Sequence, residues 1–275
     1  MEPHIVKASG QREPFSEAKL RSALARSGAP ADLAEGAVTR VRAELHEGIT
    51  TNEIYDIAFT FLRGHSPVLA GRYALRRAIM ELGPEGHPFE RLVGEILESQ
   101  GYTVQTGVVI EGRCVSHEVD VVAENAAERV LVECKFHNDP GIKSDVKVAL
   151  YVQARFDDIK ARAAGEGVNR FHATWLVTNT KLSSDAVRYA RCMGMRAIAW
   201  GYPQEGNLAQ LIEQTNLQPV TVLASLGRHE QRALIALGVV TCAGLRKDPS
   251  VLAHIGMKSE QAEAVMKEVA ELCGK

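Results

Sequence analysis

Three charged residues interrupt two apolar segments near the middle of the chain. Asp120 lies in the run Val119–Val122, while Glu133 and Lys135 lie in the run Val130–Phe136. Both runs are rich in β-branched residues and have the length of strands. Because side chains two residues apart on a strand point to the same face, Glu133 and Lys135 share a face. We therefore expect two acids and one lysine to form a polar site on an otherwise buried sheet.

The short connection between the two segments indicates how these side chains meet. A hairpin turning at Ala126–Ala127 pairs Glu124 with Arg129, and the same register places Asp120 opposite Glu133. Directly opposed residues have Cβ atoms about 4.5 to 5.5 Å apart. Two carboxylates at that separation repel each other unless a cation lies between them, and their oxygens are the ligands that hard divalent cations prefer.

The chemistry expected of such a site is metal-dependent phosphodiester hydrolysis. Asp120 and Glu133 would bind Mg²⁺ (or Mn²⁺), which supplies a nucleophilic water and neutralises charge on the phosphate. Lys135 would orient or help to deprotonate that water, or contact the scissile phosphate. An alternative is that Glu133 and Lys135 form only an ion pair on an edge strand, since an isolated Glu-x-Lys pattern is common.

The segment ahead of these strands carries a family resemblance. Phe89–Tyr102 has the pattern Phe-Glu-x-Leu-Val…Leu-Glu…Gly-Tyr. Together with the Asp…Glu-x-Lys residues, this pattern resembles the PD-(D/E)-x-K superfamily, in particular Mrr-type restriction endonucleases and archaeal Holliday-junction resolvases. The resemblance implies a DNA nuclease in which Glu90 is a further acidic catalytic residue and Gln153 is a catalytic glutamine on a later helix. His117–Glu118 departs from the Mrr pattern, so the roles of these two residues stay open.

The spacing of apolar residues along the chain predicts the helices and strands that position the site. After a breaker-rich segment at 83–88, strand and helix patterns alternate, which is typical of an α/β fold with a mixed sheet. The predicted helices are 88–100, 143–164 and 183–193, and the predicted strands are 102–110, 118–124, 129–136, 172–178 and 196–200. We therefore predict a restriction-endonuclease-like domain, a mixed sheet flanked by helices, over residues 88–214.

Residues 1–83 have a different pattern of apolar residues, which is mostly typical of helices. The segment Val6–Phe15, the pattern Thr50-Thr51-x-Glu53-Ile54 and the pattern Ala70-x-x-Tyr73-x-x-x-Arg77 resemble the ATP-cone domain, the nucleotide-sensing module of ribonucleotide reductases. Ala8 and Ser9 replace the Arg-Asp pair usual in that domain. The resemblance implies an adenine nucleotide, ATP or dATP, as an effector. The residues expected to bind it are Lys7, Arg12, Lys19, Thr51 and Arg72.

Residues 215–275 are again helical and form a predicted third domain. Leu226–Lys275 is similar to helix-hairpin-helix modules, in which a glycine turn presents backbone N–H groups to a DNA phosphate. Ala243–Lys247 and His254–Lys258 place cations near such turns. A small domain for dimerisation or packing is an equally good interpretation.

Composition limits the possible classes of protein. The 275 residues are 45% hydrophobic and 24% charged, and no apolar run is long enough to span a bilayer, so a cytoplasmic protein with no membrane partner is expected. The five cysteines are scattered, which does not indicate zinc or disulfides. The formal net charge of -2 means that any DNA-binding surface must be a local patch.

These observations combine into one hypothesis and two alternatives. The chain is expected to be a nucleotide-regulated, Mg²⁺-dependent DNA endonuclease that forms a homo-oligomer. The first alternative is a nucleotide-sensing DNA-binding regulator whose nuclease fold binds without cutting. The second is a nucleotide-driven oligomeric scaffold with a catalytically silent nuclease fold, which would have no affinity for nucleic acid.

Overall fold

A computed structural model describes residues 3–7, 10–165 and 171–273 of the chain. The chain divides into two units. One consists of Met1–Arg76 with Glu263–Lys275, and the other of Arg77–Ala262. None of the helices in the described ranges has both the length and the apolar character needed to cross a membrane.

The N-terminal part is a β-hairpin followed by helices. Its elements are β1 (His4–Val6), β2 (Arg12–Pro14), α1 (Glu17–Arg26), α2 (Ala31–Glu44), α3 (Thr51–His65) and α4 (Pro67–Met80). A capping box begins α3: the Glu53 N–H donates to Thr50 Oγ1 and the Thr50 N–H donates to the Glu53 carboxylate. These two bonds satisfy backbone donors that a helix start otherwise leaves unpaired. The core includes the fully buried Leu24, Val38 and Leu62.

A five-stranded sheet is the centre of the second unit. The elements are α5 (His87–Ser99), β3 (Thr103–Glu111), β4 (Ser116–Glu124), β5 (Arg129–Lys135), β6 (Lys143–Ser144), α6 (Val146–Gly165), β7 (Ala173–Thr178), β8 (Lys181–Leu182), α7 (Ser184–Met193), β9 (Arg196–Ile198) and α8 (Leu208–Thr215). The sheet order is β3-β4-β5-β7-β9. The first two pairs are antiparallel and the last two are parallel, which confirms the predicted mixed sheet flanked by helices.

The start of α6 differs from the prediction. Lys143–Ser144 was assigned to the helix but forms β6, which pairs in parallel with β8. The helix begins at Val146 because the Asp145 carboxylate accepts hydrogen bonds from the N–H groups of Lys147 and Val148, at 3.0 and 3.4 Å. An acidic side chain in this position satisfies the free donors of a helix start.

Helices make up the C-terminal part of the described chain. They follow a 3₁₀ turn at Val220–Val222 and are α9 (Arg228–Ala236), α10 (Cys242–Lys247), α11 (Val251–His254) and α12 (Ser259–Cys273), the last of which continues into the first unit. Arg91 Nη1 of α5 donates to the Gly238 carbonyl at 2.8 Å, and the Thr241 hydroxyl donates to the Glu95 carboxylate at 2.6 Å.

The glycine turns of this region differ from the prediction at one position. Gly244 was expected beside a turn with its N–H available to a phosphate, but it lies inside α10. Its N–H donates to Thr241 Oγ1 at 2.9 Å, because Thr241 caps the helix. Gly238 and Gly256 are the residues with the positive φ that a turn requires, at 83° and 80°.

Candidate functional site

The predicted register of the β4–β5 hairpin is confirmed. Glu124 pairs with Arg129, and the ladder continues to Val121 opposite Val132. Asp120 and Glu133 are the next two residues beyond this paired ladder. Asp120 Oδ2 accepts a hydrogen bond from the Cys134 N–H at 2.7 Å. A side-chain oxygen of β4 therefore serves as the acceptor for this backbone N–H of β5. Asp120 is therefore held against β5 beside Glu133.

Glu133 already has a cationic partner, Arg155 of α6. Arg155 Nη1 lies 2.5 Å from Glu133 Oε2, and only 12% and 15% of the two side chains are exposed. The guanidinium also donates to the Tyr151 hydroxyl and stacks 4.7 Å from the centre of the Tyr151 ring. Arg155 was not among the residues predicted for the site. Its spacing of four residues from Tyr151 on a helix was the available signal, but that spacing says nothing about a strand.

Burial changes the acid strength of both carboxyl groups. Burial raises the pKa of Asp120 above its ordinary value, although the Cys134 N–H and the charge of Arg155 act in the opposite direction. Burial also raises the pKa of Glu133, and the negative charge of Asp120 raises it further. Both shifts mean that the site disfavours two uncompensated negative charges and favours a cation close to them.

Glu90 lies in the first turn of α5 and belongs to the same electrostatic cluster. Its side chain is 14% exposed, and one of its oxygens lies 3.2 Å from Nδ1 of His87. Burial raises the pKa of Glu90; the hydrogen bond with His87 opposes this shift, and the charge of Asp120 adds to it. The carboxyl groups of Glu90, Asp120 and Glu133 thus belong to one acidic region, to which α5, β4 and β5 each contribute one.

Lys135 and Gln153 are less closely tied to the acids. Lys135 is the last residue of β5, partly buried, and makes no ion pair with any described residue. Gln153 is 6% exposed, and its Nε2 donates to Asp157 of its own helix at 2.8 Å. The Gln153 Oε1 is buried without a hydrogen-bond partner among the described residues. This oxygen is therefore an acceptor available to a water molecule.

The donor set has the chemistry of a hard-cation site, but it is not assembled as one. Asp120 and Glu133 offer carboxylate oxygens, which suit Mg²⁺ or Mn²⁺. Across the described part of the chain, however, no three His, Cys, Asp or Glu side chains are arranged to hold a metal ion. In this structure the cation nearest to Glu133 is the guanidinium of Arg155. A metal bound by both carboxylates would share or displace that contact.

His117, whose role the sequence left open, anchors the β3–β4 hairpin. His117 Nε2 lies 2.8 Å from Asp158 Oδ2 of α6, and the N–H groups of Cys114 and Val115 donate to the same carboxylate. The hydrogen bonds from His117, Cys114 and Val115 hold the pKa of Asp158 at about 2. The hairpin that carries Asp120 is therefore fixed to the helix that carries Arg155.

The predicted nucleotide-binding cations converge only in part. Lys7 and Lys19 both contact the carboxylate of Glu13, at 2.7 and 3.0 Å. Arg12 instead pairs with Glu47 at 2.9 Å. The two hydrogen bonds lower the pKa of Glu13, so this acid is the resident anion between the two ammonium groups.

The remaining predicted nucleotide contacts lie on helices. Thr51 is the first residue of α3, and Arg72 is exposed on α4 near Gly28. Neither contacts Lys7 or Lys19 among the described hydrogen bonds and ion pairs. Ala8 and Ser9 lie outside the described residues.

Comparison with known protein families assigns three segments of the chain. The ATP cone domain matches residues 3–81, a restriction endonuclease domain matches residues 84–200, and the AF1548-like C-terminal domain matches residues 219–273. These matches confirm the predicted fusion of an ATP cone to a restriction-endonuclease-like domain. The structure and the matches together confirm the fold class: helical, then a mixed sheet flanked by helices, then helical again.

Two relatives match most of the chain. An uncharacterized protein of Archaeoglobus fulgidus is 35% identical over 187 residues, covering 66% of this chain and 100% of the relative. The crystal structure of AF1548, a protein of unknown function, is 33% identical with a TM-score of 0.57, covering 69% of this chain and 99% of that one.

Two further structures are more distant. The MspJI restriction endonuclease with a 27-mer oligonucleotide is 14% identical, with a TM-score of 0.34, and covers 72% of this chain and 39% of its own. Can2 from Sulfobacillus thermosulfidooxidans with cyclic tetra-adenylate is 12% identical, with a TM-score of 0.35, and covers 74% and 64%. Similarities at this level carry no argument about function.

Proposed function

Because the chain belongs to the family of the uncharacterized Archaeoglobus fulgidus protein and carries ATP cone and restriction endonuclease domains, we propose that it is a nucleotide-regulated, Mg²⁺-dependent DNA endonuclease. The observation that carries the proposal is the position of Asp120, which is fixed to β5 by the Cys134 N–H and lies, with Glu133, immediately beyond the paired ladder of the hairpin. Lys135 shares a strand face with Glu133. Two carboxylates and a lysine are residue types that metal-dependent phosphodiester hydrolysis can use.

Each residue of the site has a separate role in the proposed reaction. Asp120 and Glu133 would hold the metal ion, which supplies Lewis-acid stabilisation of the scissile phosphate and an acidified water when bound. Lys135 has no counter-ion among the described residues. It would orient or help to deprotonate the attacking water, or contact the scissile phosphate. Glu90 adds a third acidic group, and the unpartnered Gln153 Oε1 offers an acceptor for an ordered water.

Arg155 supports an off-state for the same site. With Glu133 Oε2 paired to a guanidinium, one of the two carboxylates already has a counter-charge. The metal must compete with an intramolecular cation, so we expect cleavage to need more Mg²⁺ than a pair of free carboxylates would. In the cleavage-competent state the Arg155 guanidinium would move towards the phosphate, where its charge is equally useful.

The N-terminal segment supports regulation by nucleotide. Lys7 and Lys19 both contact the carboxylate of Glu13. A triphosphate carries more negative charge than one carboxylate, so it would bind the same two ammonium groups more strongly. We propose residues 1–83 as the sensor domain, residues 88–214 as the nuclease domain and residues 215–275 as a helical domain that contributes to DNA binding or assembly. ATP or dATP would act by binding one conformation or oligomer more tightly than another.

A cleavage assay tests the proposal directly. The full chain is incubated with linear, nicked, branched and single-stranded DNA, with Mg²⁺, with Mn²⁺ or with a chelator, and with or without ATP and dATP. Cleavage that needs the metal and changes with nucleotide supports the proposal. Absence of cleavage under every condition, with DNA binding retained, would instead support a nucleotide-sensing DNA-binding regulator. The Arg155–Glu133 pair is the observation that favours this second candidate, because it gives Glu133 a counter-charge from the chain itself.

A further inference from the structure

A cleft of about 850 Å³ lies beside the acidic region within the second unit. One wall is the segment 82–88 with the first turn of α5, and the opposite wall is the end of α9 with residues 237–240. Thr106–Gly107 of β3 also lines it. None of the residues described above as holding the metal forms this cleft, but Glu90 is part of its lining.

The cleft leads to the position of Asp120. In the β3–β4 ladder, Thr106 pairs with Val121 and Val108 with Val119, which places Gly107 opposite Asp120. Gly107 has a φ of 62°, and no atom lies within 4 Å of the place where a Cβ would stand. A glycine inside a strand leaves bare backbone that another molecule can approach closely. The lining of the cleft therefore ends next to a proposed metal ligand.

The lining combines apolar surface with cations. Its apolar side chains are Leu82, Pro84, Pro88, Ile235, Leu237 and Val240. Leu237 is 55% exposed and adds apolar surface to the lining of the cleft. Arg91 is held in place by the Gly238 carbonyl, and Arg232 is exposed and makes no ion pair with a described residue. Glu85 is the acidic residue of the lining besides Glu90.

We propose that this cleft binds an unpaired nucleotide of the DNA strand that is cut, with its base against the apolar wall and its phosphate at Arg232. The inference rests on the proposed nuclease function and names its substrate class. Clefts of roughly 300 to 1,000 Å³ bind ligands of drug size, which is also the size of one or two nucleotides. Single-strand recognition combines cations for the backbone with contacts to the faces of the bases, and here Leu237 and its apolar neighbours would supply the second part.

The consequence is a preference for DNA that is not fully paired next to the cut. Extruding a paired base costs a few kcal/mol of pairing and stacking, and a base that is already unpaired avoids this cost. Forked, flapped, branched or single-stranded DNA would therefore place a nucleotide in the cleft and its neighbouring phosphate near Asp120. A continuous duplex would be cut more slowly.

The test compares two arginines of α9. Arg232→Glu reverses a charge in the cleft, while Arg228→Glu makes the same change at the start of the same helix, outside the lining. Leu237→Ser removes apolar surface and, being exposed, does not disturb the core. For each variant of the full chain, binding of a labelled single-stranded oligonucleotide is measured by fluorescence anisotropy in the absence of metal. Cleavage of a forked DNA and of its fully paired counterpart is measured with Mg²⁺.

We expect Arg232→Glu and Leu237→Ser each to weaken single-strand binding by about tenfold, the loss of one charged or stacking contact. Both variants should lower the ratio of the cleavage rate of forked DNA to that of fully paired DNA. Arg228→Glu should keep its single-strand affinity and this ratio within about twofold of those of the unmodified chain. Equal effects of the two arginine variants, or none from either, would overturn the proposal. So would competition by a free deoxynucleoside monophosphate as strong as that by the strand. If no DNA is cut but the binding pattern holds, the nuclease proposal fails and the cleft assignment stands.

Discussion

Arg155 Nη1 lies 2.5 Å from Glu133 Oε2, so α6 supplies the cation that pairs with this carboxylate, one residue before the Cys134 N–H that Asp120 accepts. This contact neutralises buried negative charge in the absence of any bound metal. It also connects stability to metal binding, because the guanidinium and a divalent cation act on the same oxygen atoms.

The first prediction concerns this ion pair. Arg155→Met keeps much of the side-chain volume but leaves Glu133 buried without its cation, and breaking a buried pair in this way costs about 3 kcal/mol of folding free energy. Mn²⁺ or Mg²⁺ should restore part of that loss. We therefore expect a larger rise in Tm on metal addition for Arg155→Met than for the unmodified chain.

The matched control for Arg155 is Arg188→Met. Arg188 pairs with Asp185 on the surface of α7, where 79% and 58% of the two side chains are exposed. An exposed pair contributes about 0 to 1 kcal/mol, so this variant should keep both its Tm and its response to metal. If the two variants gained equally from metal, the Arg155–Glu133 contact would not be coupled to the metal site.

A second prediction distinguishes the structural and chemical roles of Asp120. Asp120→Ala leaves the buried Cys134 N–H without its acceptor, which costs about 1 to 3 kcal/mol. Asp120→Asn keeps an oxygen acceptor for that N–H but removes the negative charge. In urea unfolding, the alanine variant should therefore be clearly less stable than the asparagine variant. Equal stability of the two would show that the Asp120 hydrogen bond does not fix the hairpin.

The third prediction is a pH dependence of stability from Asp158. Its folded pKa of about 2 lies below the ordinary value of 3.8, so its hydrogen bonds stabilise the fold above the ordinary value. This contribution is lost as pH falls from 3.8 towards 2. Asp158→Asn should consequently lower the urea midpoint at pH 7 and have a smaller effect near pH 2.5. An effect that did not shrink in acid would contradict the assignment of His117 and the two N–H groups as the stabilising partners.

The fourth prediction concerns nucleotide binding by the N-terminal segment. Lys19→Ala removes one of the two ammonium groups at Glu13, and the loss of a charge-assisted contact to a phosphate should weaken ATP binding by about tenfold. Arg40→Ala, which breaks an exposed pair with Glu44 of its own helix, is the control and should leave the affinity unchanged. Isothermal titration calorimetry measures both. An unchanged affinity in Lys19→Ala would remove Lys19 from the proposed binding surface.

Local patterns explain which parts of the site the sequence could predict. The register of β4 against β5 follows from the tight turn between them. In this turn the Asn125 N–H donates to the Glu128 carbonyl, which fixes Glu124 opposite Arg129. The capping box at Thr50 is equally local. In both cases, residues a few positions apart determine the structure, so a single sequence is sufficient.

Contacts between distant segments explain what the sequence could not predict. Arg155 reaches Glu133 across 22 positions, and its target depends on how α6 packs on the sheet rather than on any periodicity. The position of Gly244 inside α10 depended on whether Thr241 caps that helix. The cleft beside Glu90 depends on α9 lying opposite the segment 82–88, which no pattern in either segment specifies.

Single-turnover cleavage of DNA in Mg²⁺ by Asp120→Asn and Glu124→Gln tests the central claim most directly. Both residues lie on β4, and both substitutions replace one carboxylate by an amide, but Glu124 is 58% exposed at the far end of the hairpin pairing, beside Arg129. We predict that Asp120→Asn lowers the cleavage rate by at least about 10³-fold, since it removes an essential ligand of the metal, while Glu124→Gln cleaves at the rate of the unmodified chain. Cleavage by Asp120→Asn at the same rate as Glu124→Gln would contradict the account.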